Sequence, residues 1–130
     1  MLKVSKKSQY GLRAMVCLAK NYKSKYVLST KTISEKEGAP FDFLEKIILQ
    51  MEKAGFVKSK KGVQGGYMLS RSPEKITAKD IVSVLEGEDS AVDCSFCKKS
   101  RKCLTKNVWR KIDIAIDKTL KSITLKDLIS

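Results

Sequence analysis

The stretch Glu37-Gly38-Ala39-Pro40 constrains what this chain can fold into more than any other, because it breaks one helical pattern and opens the next within a tight turn. Upstream, the hydroxyl of Ser29 or Thr30 can accept from the orphan amides of a short helix running to Glu37, and Gly38 stops that helix. Downstream, Pro40 carries a fixed φ suited to a first helical position, and Asp42 places a negative charge near the positive end of a second helix. Along that helix Phe41, Leu44, Ile47, Ile48 and Met51 recur at three- and four-residue steps on one face, with Asp42, Lys46 and Lys53 opposite. Two helices joined by a tight glycine-containing turn, the second longer and polar outside, make a helix-turn-helix. In that motif the second helix enters the major groove of DNA.

Gly55 closes the second helix. Phe56-Val57-Lys58-Ser59-Lys60-Lys61 then leads through Gly62-Val63-Gln64-Gly65-Gly66 into Tyr67-Met68-Leu69, which reads as strand, basic tip and returning strand. The glycines fit neither dinucleotide nor phosphate-loop spacing, and no helix follows to supply an anion-binding end. A basic hairpin beside a helix-turn-helix is a wing. The candidate DNA contacts are therefore Asp42 and Lys46 on the second helix and Lys58, Lys60, Lys61 and Gln64 on the wing.

Charge supports a polyanionic partner. Residues 1–75 hold 16 Lys/Arg against 6 Asp/Glu, and residues 76–130 hold 11 against 8. Lysines that neutralise phosphates release condensed counterions, although a lysine-rich surface also serves solubility alone. No apolar run approaches the length of a membrane-spanning helix, so a cytoplasmic protein is expected.

The remaining chain is helical in pattern. Ser8 to Lys20 reads as a largely buried helix in which Cys17 acts as a small apolar packing residue, with Lys3, Lys6 and Lys7 just before it, where they could meet a phosphate backbone. Thr77 can cap a helix carrying Ile81, Val82, Val84 and Leu85 that ends at Gly87. From Leu104 onward, Leu104, Val108, Ile112, Ile116 and Leu120 recur every four residues, broadened by Trp109, Ala115 and Ile123. That is more apolar face than a small winged helix needs, and a partner subunit, or failing that its own domain, would cover it. Thr124 can cap a last short helix with Leu125, Leu128 and Ile129.

Between these helices lies Cys94-x2-Cys97-x5-Cys103. Three thiols so close together suit a soft metal or an iron-sulfur cluster. Other readings stay open at this point. A disulfide requires an oxidising compartment, and a zinc site requires a fourth ligand in a chain with no histidine, such as a carboxylate, Cys17 or a second chain. A thioredoxin-like motif requires a βαβ context that the surroundings do not show.

Taken together, the motifs resemble the IscR/NsrR-type (Rrf-two) winged-helix transcriptional regulators of bacteria along essentially the whole chain. The resemblance rests on Ser8-Gln9-Tyr10-Gly11-Leu12-Arg13, on Phe43-Leu44-Glu45 and on the Gly62-x-x-Gly65-Gly66-Tyr67 wing. It rests further on Ile76-Thr77-x-x-Asp80-Ile81 and on Cys103-Leu104-Thr105-x-x-x-Trp109-Arg110. It implies a homodimer on palindromic promoter DNA, with a cluster on Cys94, Cys97 and Cys103 of either the 2Fe-2S or the 4Fe-4S type. The first cysteine gap is shorter than in IscR-like members. Lys106 stands where those have a histidine ligand, and Gln9 stands where NsrR-like members place an aspartate from the partner subunit. Glu45 falls on the glutamate that can accept from a cytosine amino group, and Lys61 on the basic wing residue.

The expectation is thus a mainly α fold with a small β-hairpin wing: a winged helix-turn-helix over residues 1–75, then a cysteine-rich cluster loop and dimerisation helices over 76–130, as one continuous compact unit. The expected function is a DNA-binding regulator whose promoter affinity is set by the cluster. A regulator using the cysteines as a thiol switch or zinc site is the alternative, and a metal or cluster storage or delivery protein is the alternative of another class. Without histidine or a recognisable nucleophile and base, no catalytic role is expected.

Overall fold

A computed structural model describes residues 4–24, 26–62, 65–87 and 104–130. The first helix, α1 (Lys6–Lys20), starts two residues before the expected Ser8, because Ser5 is its cap and accepts from the Ser8 amide at 3.2 Å. Ser29 caps α2 (Thr30–Glu37) by accepting from the Thr32 amide at 3.1 Å, and Gly38 ends it at φ 64°, a left-handed conformation that favours glycine. In α3 (Phe41–Lys53) Pro40 stands one position earlier than expected, as the capping residue itself, with its carbonyl accepting from Leu44 at 3.0 Å. The end of α3 is a Schellman turn, in which Gly55 donates to Glu52 and Phe56 to Met51, both at 3.0 Å. That turn delivers the chain directly into the wing.

The wing pairs β1 (Val57–Lys60) with β2 (Gly66–Leu69) antiparallel, in the register Val57↔Leu69 to Lys60↔Gly66. A third segment joins them. Leu28 and Tyr67 exchange backbone hydrogen bonds of 2.9 and 2.8 Å, pinning β2 to the residue just before the Ser29 cap. A Cβ on Gly66 would fall 2.7 Å from the Leu28 carbonyl carbon and oxygen, so this approach requires glycine.

A short 3-10 turn (Pro73–Lys75) leads to α4 (Ala78–Glu86), held by a reciprocal capping box between Thr77 and Asp80. The last two helices are α5 (Lys106–Lys121) and α6 (Leu125–Ile129), the latter with a matching Thr124–Asp127 box. The two boxes sit side by side. Thr77 bridges Thr124, Ala78 donates to Ile123 at 2.8 Å, and Leu125 donates to Ile76 at 2.9 Å, which clasps the C-terminal helix to the start of α4. Buried Ile76, Ile81, Leu85 and Leu125 join Met15, Leu18, Ile33, Leu44, Ile47, Ile48, Met51, Val57 and Leu69 in one apolar cluster. The architecture is a helical winged-helix fold with a two-stranded hairpin.

Two expectations about apolar faces divide here. The α3 stripe is buried at Leu44, Ile47, Ile48 and Met51, but Phe41 is 45% exposed because it lies at the first turn, beyond the reach of the core. On α5 no residue is buried: Val108 is 51% and Ile116 44% exposed, and Leu104, just before the helix, 97%. Lys79 and Lys121 both reach Asp117 at 2.9 Å, so the final turns of α5 are held against the first turn of α4. They keep the Asp117 carboxyl below its ordinary range, Lys79 most strongly.

Candidate nucleic-acid interface

The polar side of α3 carries Asp42, Glu45, Lys46 and Lys53, all exposed, with Leu49 among them. Their spacing puts them on one side of the helix, opposite four buried residues. Burial of the inner side fixes the rotation of α3 about its axis, and that fixes where Glu45 and Lys46 point. A helix mounted this way presents a rigid row of two carboxylate acceptors and two lysine donors.

The flank of this row comes from α1, which sequence reading did not bring to it in this way. Lys6 and Tyr10 line a shallow hollow together with Pro40, Asp42, Phe43 and Lys46. At its floor Tyr10 and Phe43 meet edge to face, ring centres 5.6 Å apart and planes at 82°. The Arg13 guanidinium lies 5.8 Å from the Tyr10 ring centre. One lysine from each helix therefore borders the same hollow. Each aromatic is visible in the sequence, yet nothing there pairs residue 10 with residue 43.

On the wing Lys58, Lys60 and Lys61 are exposed, while Val57 at the base is buried and anchors the strand. The Arg71 guanidinium stacks 4.8 Å from the Phe56 ring centre and closes the base of the hairpin. Gln64 lies outside the described residues.

Cys94, Cys97 and Cys103 also lie outside the described residues. Among those described, no group of three or more His, Cys, Asp or Glu could hold a metal ion. Lys106 is the exposed first residue of α5, and Gln9 is exposed on α1, its Nε2 donating to the Val4 carbonyl at 3.0 Å. Cys17 is buried in the core. Burial, and then the charge of Glu37, push its thiol above the ordinary range, which keeps it protonated and suits packing. Among the described residues no helix is long and apolar enough to cross a membrane.

Comparison with known proteins agrees with this geometry. The family described as Rrf2, iron-dependent transcriptional regulator, matches residues 4–130. The chain is 37% identical over 129 residues to the HTH-type transcriptional regulator CymR of Bacillus subtilis, covering 99% of this chain and 91% of that one. The solved structure of B. subtilis CymR, described as its global cysteine regulator, superposes with a TM-score of 0.84 at 38% identity, over 99% of this chain and 97% of that chain. The structure of T. potens IscR superposes with a TM-score of 0.81 at 41% identity, over 98% and 86%.

Proposed function

The chain belongs to the Rrf2 family of transcriptional regulators, a non-enzymatic DNA-binding family, and on that premise we propose that it is a cytoplasmic homodimer whose affinity for palindromic promoter DNA is set by an iron-sulfur cluster on Cys94, Cys97 and Cys103. The observation that carries the DNA part is the rigidly mounted outer side of α3, flanked by Lys6 and followed by the basic wing. Residues 1–75 form the DNA-binding unit, and residues 76–130 sense and dimerise. In this assignment Glu45, with Asp42 and Lys46 beside it, reads base edges in the major groove, while Lys58, Lys60, Lys61 and Gln64 contact the backbone from the wing. The open apolar side of α5, from Val108 to Ile116, packs on the same helix of a second copy.

The donor set itself favours the cluster, whether of the 2Fe-2S or the 4Fe-4S type. Three thiolates and no histidine suit iron and sulfide better than a closed zinc site. When bound, such a group supplies a redox-responsive anionic centre. Gln9, exposed on α1, is the candidate contact from the partner subunit to the open position.

A second reading follows from the likeness to a regulator described as a cysteine regulator. There the same DNA-binding head responds to thiol chemistry or zinc at these cysteines. Iron, sulfide and zinc analysis of anaerobically purified protein decides between the two. The cluster reading expects stoichiometric iron and sulfide and visible absorption that disappears in Cys94→Ala, Cys97→Ala and Cys103→Ala but survives in Cys17→Ala. Zinc alone, or a normal cluster in any of the first three variants, overturns it.

A further inference from the structure

Glu86, the last residue of α4, is bound to the start of α1. Its Oε1 accepts from the Ser5 backbone amide at 3.1 Å, from the Ser5 hydroxyl, and from the Ser8 hydroxyl at 2.8 Å. Ser5 is also the cap of α1, so the carboxylate orients the hydroxyl that satisfies the Ser8 amide. Ser8 is fully buried, and without Glu86 its hydroxyl would lose this partner. One turn further along, a Cβ on Gly11 would fall 2.2 Å from Leu85 Cδ1 and 3.6 Å from Ile47 Cγ2. Glycine inside a helix costs roughly 1 kcal/mol, and here it lets α1 and α4 approach closely over α3. Glu86 is followed by Gly87, after which the chain enters the stretch that carries Cys94, Cys97 and Cys103.

We infer that Glu86 is a positioning residue for DNA binding: it holds the first turn of α1, and with it Lys6, beside Lys46 of the recognition helix, and it links that turn to the chain leaving for the cysteines. The inference rests on the DNA-binding reading above. Glu86 itself touches no DNA. Its carboxylate acts through Ser5 and Ser8, and its negative charge alone would repel phosphate.

That last point supplies the test. Glu86→Gln and Glu86→Ala remove the same charge, but only glutamine keeps an oxygen that can accept from Ser5 and Ser8. Anaerobically purified full-length protein is titrated with a duplex that the wild-type chain has enriched from a random-sequence library, and thermal melting verifies that each variant is folded at the assay temperature. The expected result is Glu86→Ala binding about tenfold more weakly than Glu86→Gln, within the range of ordinary coupling free energies. Ser8→Ala should also bind more weakly than wild type, and the Ser8→Ala/Glu86→Ala pair no more weakly than the worse single variant, because both remove one network. Should Glu86→Ala not fold, Ser8→Ala and Glu86→Gln still decide the matter. Equal or tighter binding by Glu86→Ala than by Glu86→Gln is what charge removal alone gives, and it overturns the inference. Equal affinities of wild-type protein with and without the cluster overturn cluster control but leave the alanine–glutamine difference standing. A wild-type chain that enriches no duplex overturns the DNA reading and this inference together.

Discussion

Helices α3 and α5 are both amphipathic, yet they end in opposite situations. The 13 residues of α3 include four that are buried, and its polar side is left outward. The 16 residues of α5 include none that is buried, although Val108, Ile112, Ile116 and Leu120 recur with the same regularity. An apolar stripe therefore says that a helix must be covered but not by what. For α3 the cover is the chain's own core; for α5 the proposed cover is a second copy, and only the first gives stability independent of protein concentration.

The difference is sharpest in how core substitutions should behave. Leu44→Ala removes a fully buried side chain from α3 and should lower unfolding free energy by about 2–5 kcal/mol at any protein concentration, read by denaturant titration. If that cost varies with concentration, α3 is not covered by the chain's own core. For α5, Val108→Glu together with Ile116→Glu should leave the monomer folded and abolish the dimer. Sedimentation should show the shift to monomer, and affinity for a palindrome should fall about 100-fold while half-site affinity holds. A persistent dimer would place the interface elsewhere.

Smaller effects separate the two sides of the DNA head. Glu45→Ala should relax discrimination at one base position by about 1–3 kcal/mol, whereas Lys61→Ala should weaken all sequences alike and reduce the salt slope, both read by binding to a panel of single-base variants. Identical profiles for the two variants would erase the distinction between reading and positioning. The smallest effect expected is in acid. The Glu86 carboxyl is held below its usual range by the Ser5 hydroxyl first and the Ser8 hydroxyl next. Its folded pKa therefore lies below the unfolded one, so its contribution is complete above the unfolded value and fades as pH falls through the folded value. Wild-type protein should melt slightly above Glu86→Ala near neutrality, and the gap should narrow as pH falls across that acid window.

Much of the fold was legible because its signals are local. Gly38 ends α2, Thr77 caps α4, and the three- and four-residue steps of Leu44, Ile47, Ile48 and Met51 orient α3, all within a few residues of their cause. Phe41 shared the period but lies at the helix start, where periodicity does not report depth. What sequence order hid is long-range pairing: Leu28 with Tyr67, Tyr10 with Phe43, and Ser5 and Ser8 with Glu86 across 81 and 78 positions. Serine and glutamate are ordinary surface residues, and nothing in their neighbourhoods announces a partner so distant. Gly11 is an unfavourable residue inside a helix, and its reason is visible only once Leu85 lies across it.

The clasp between the two threonine caps gives α4 the mechanics of a lever. Its first turn is fastened by the Ala78–Ile123 and Leu125–Ile76 hydrogen bonds and by the Lys79–Asp117 ion pair, which together serve as a fulcrum. From there the helix runs its 9 residues to Glu86, an arm of about 13 Å at the usual rise per residue. A swing of about 5° on such an arm displaces its tip by about 1 Å, enough to stretch a hydrogen bond like the 2.8 Å contact from Ser8 beyond useful length. The Glu86 contacts thus sit at the radius where the least rotation has the greatest leverage.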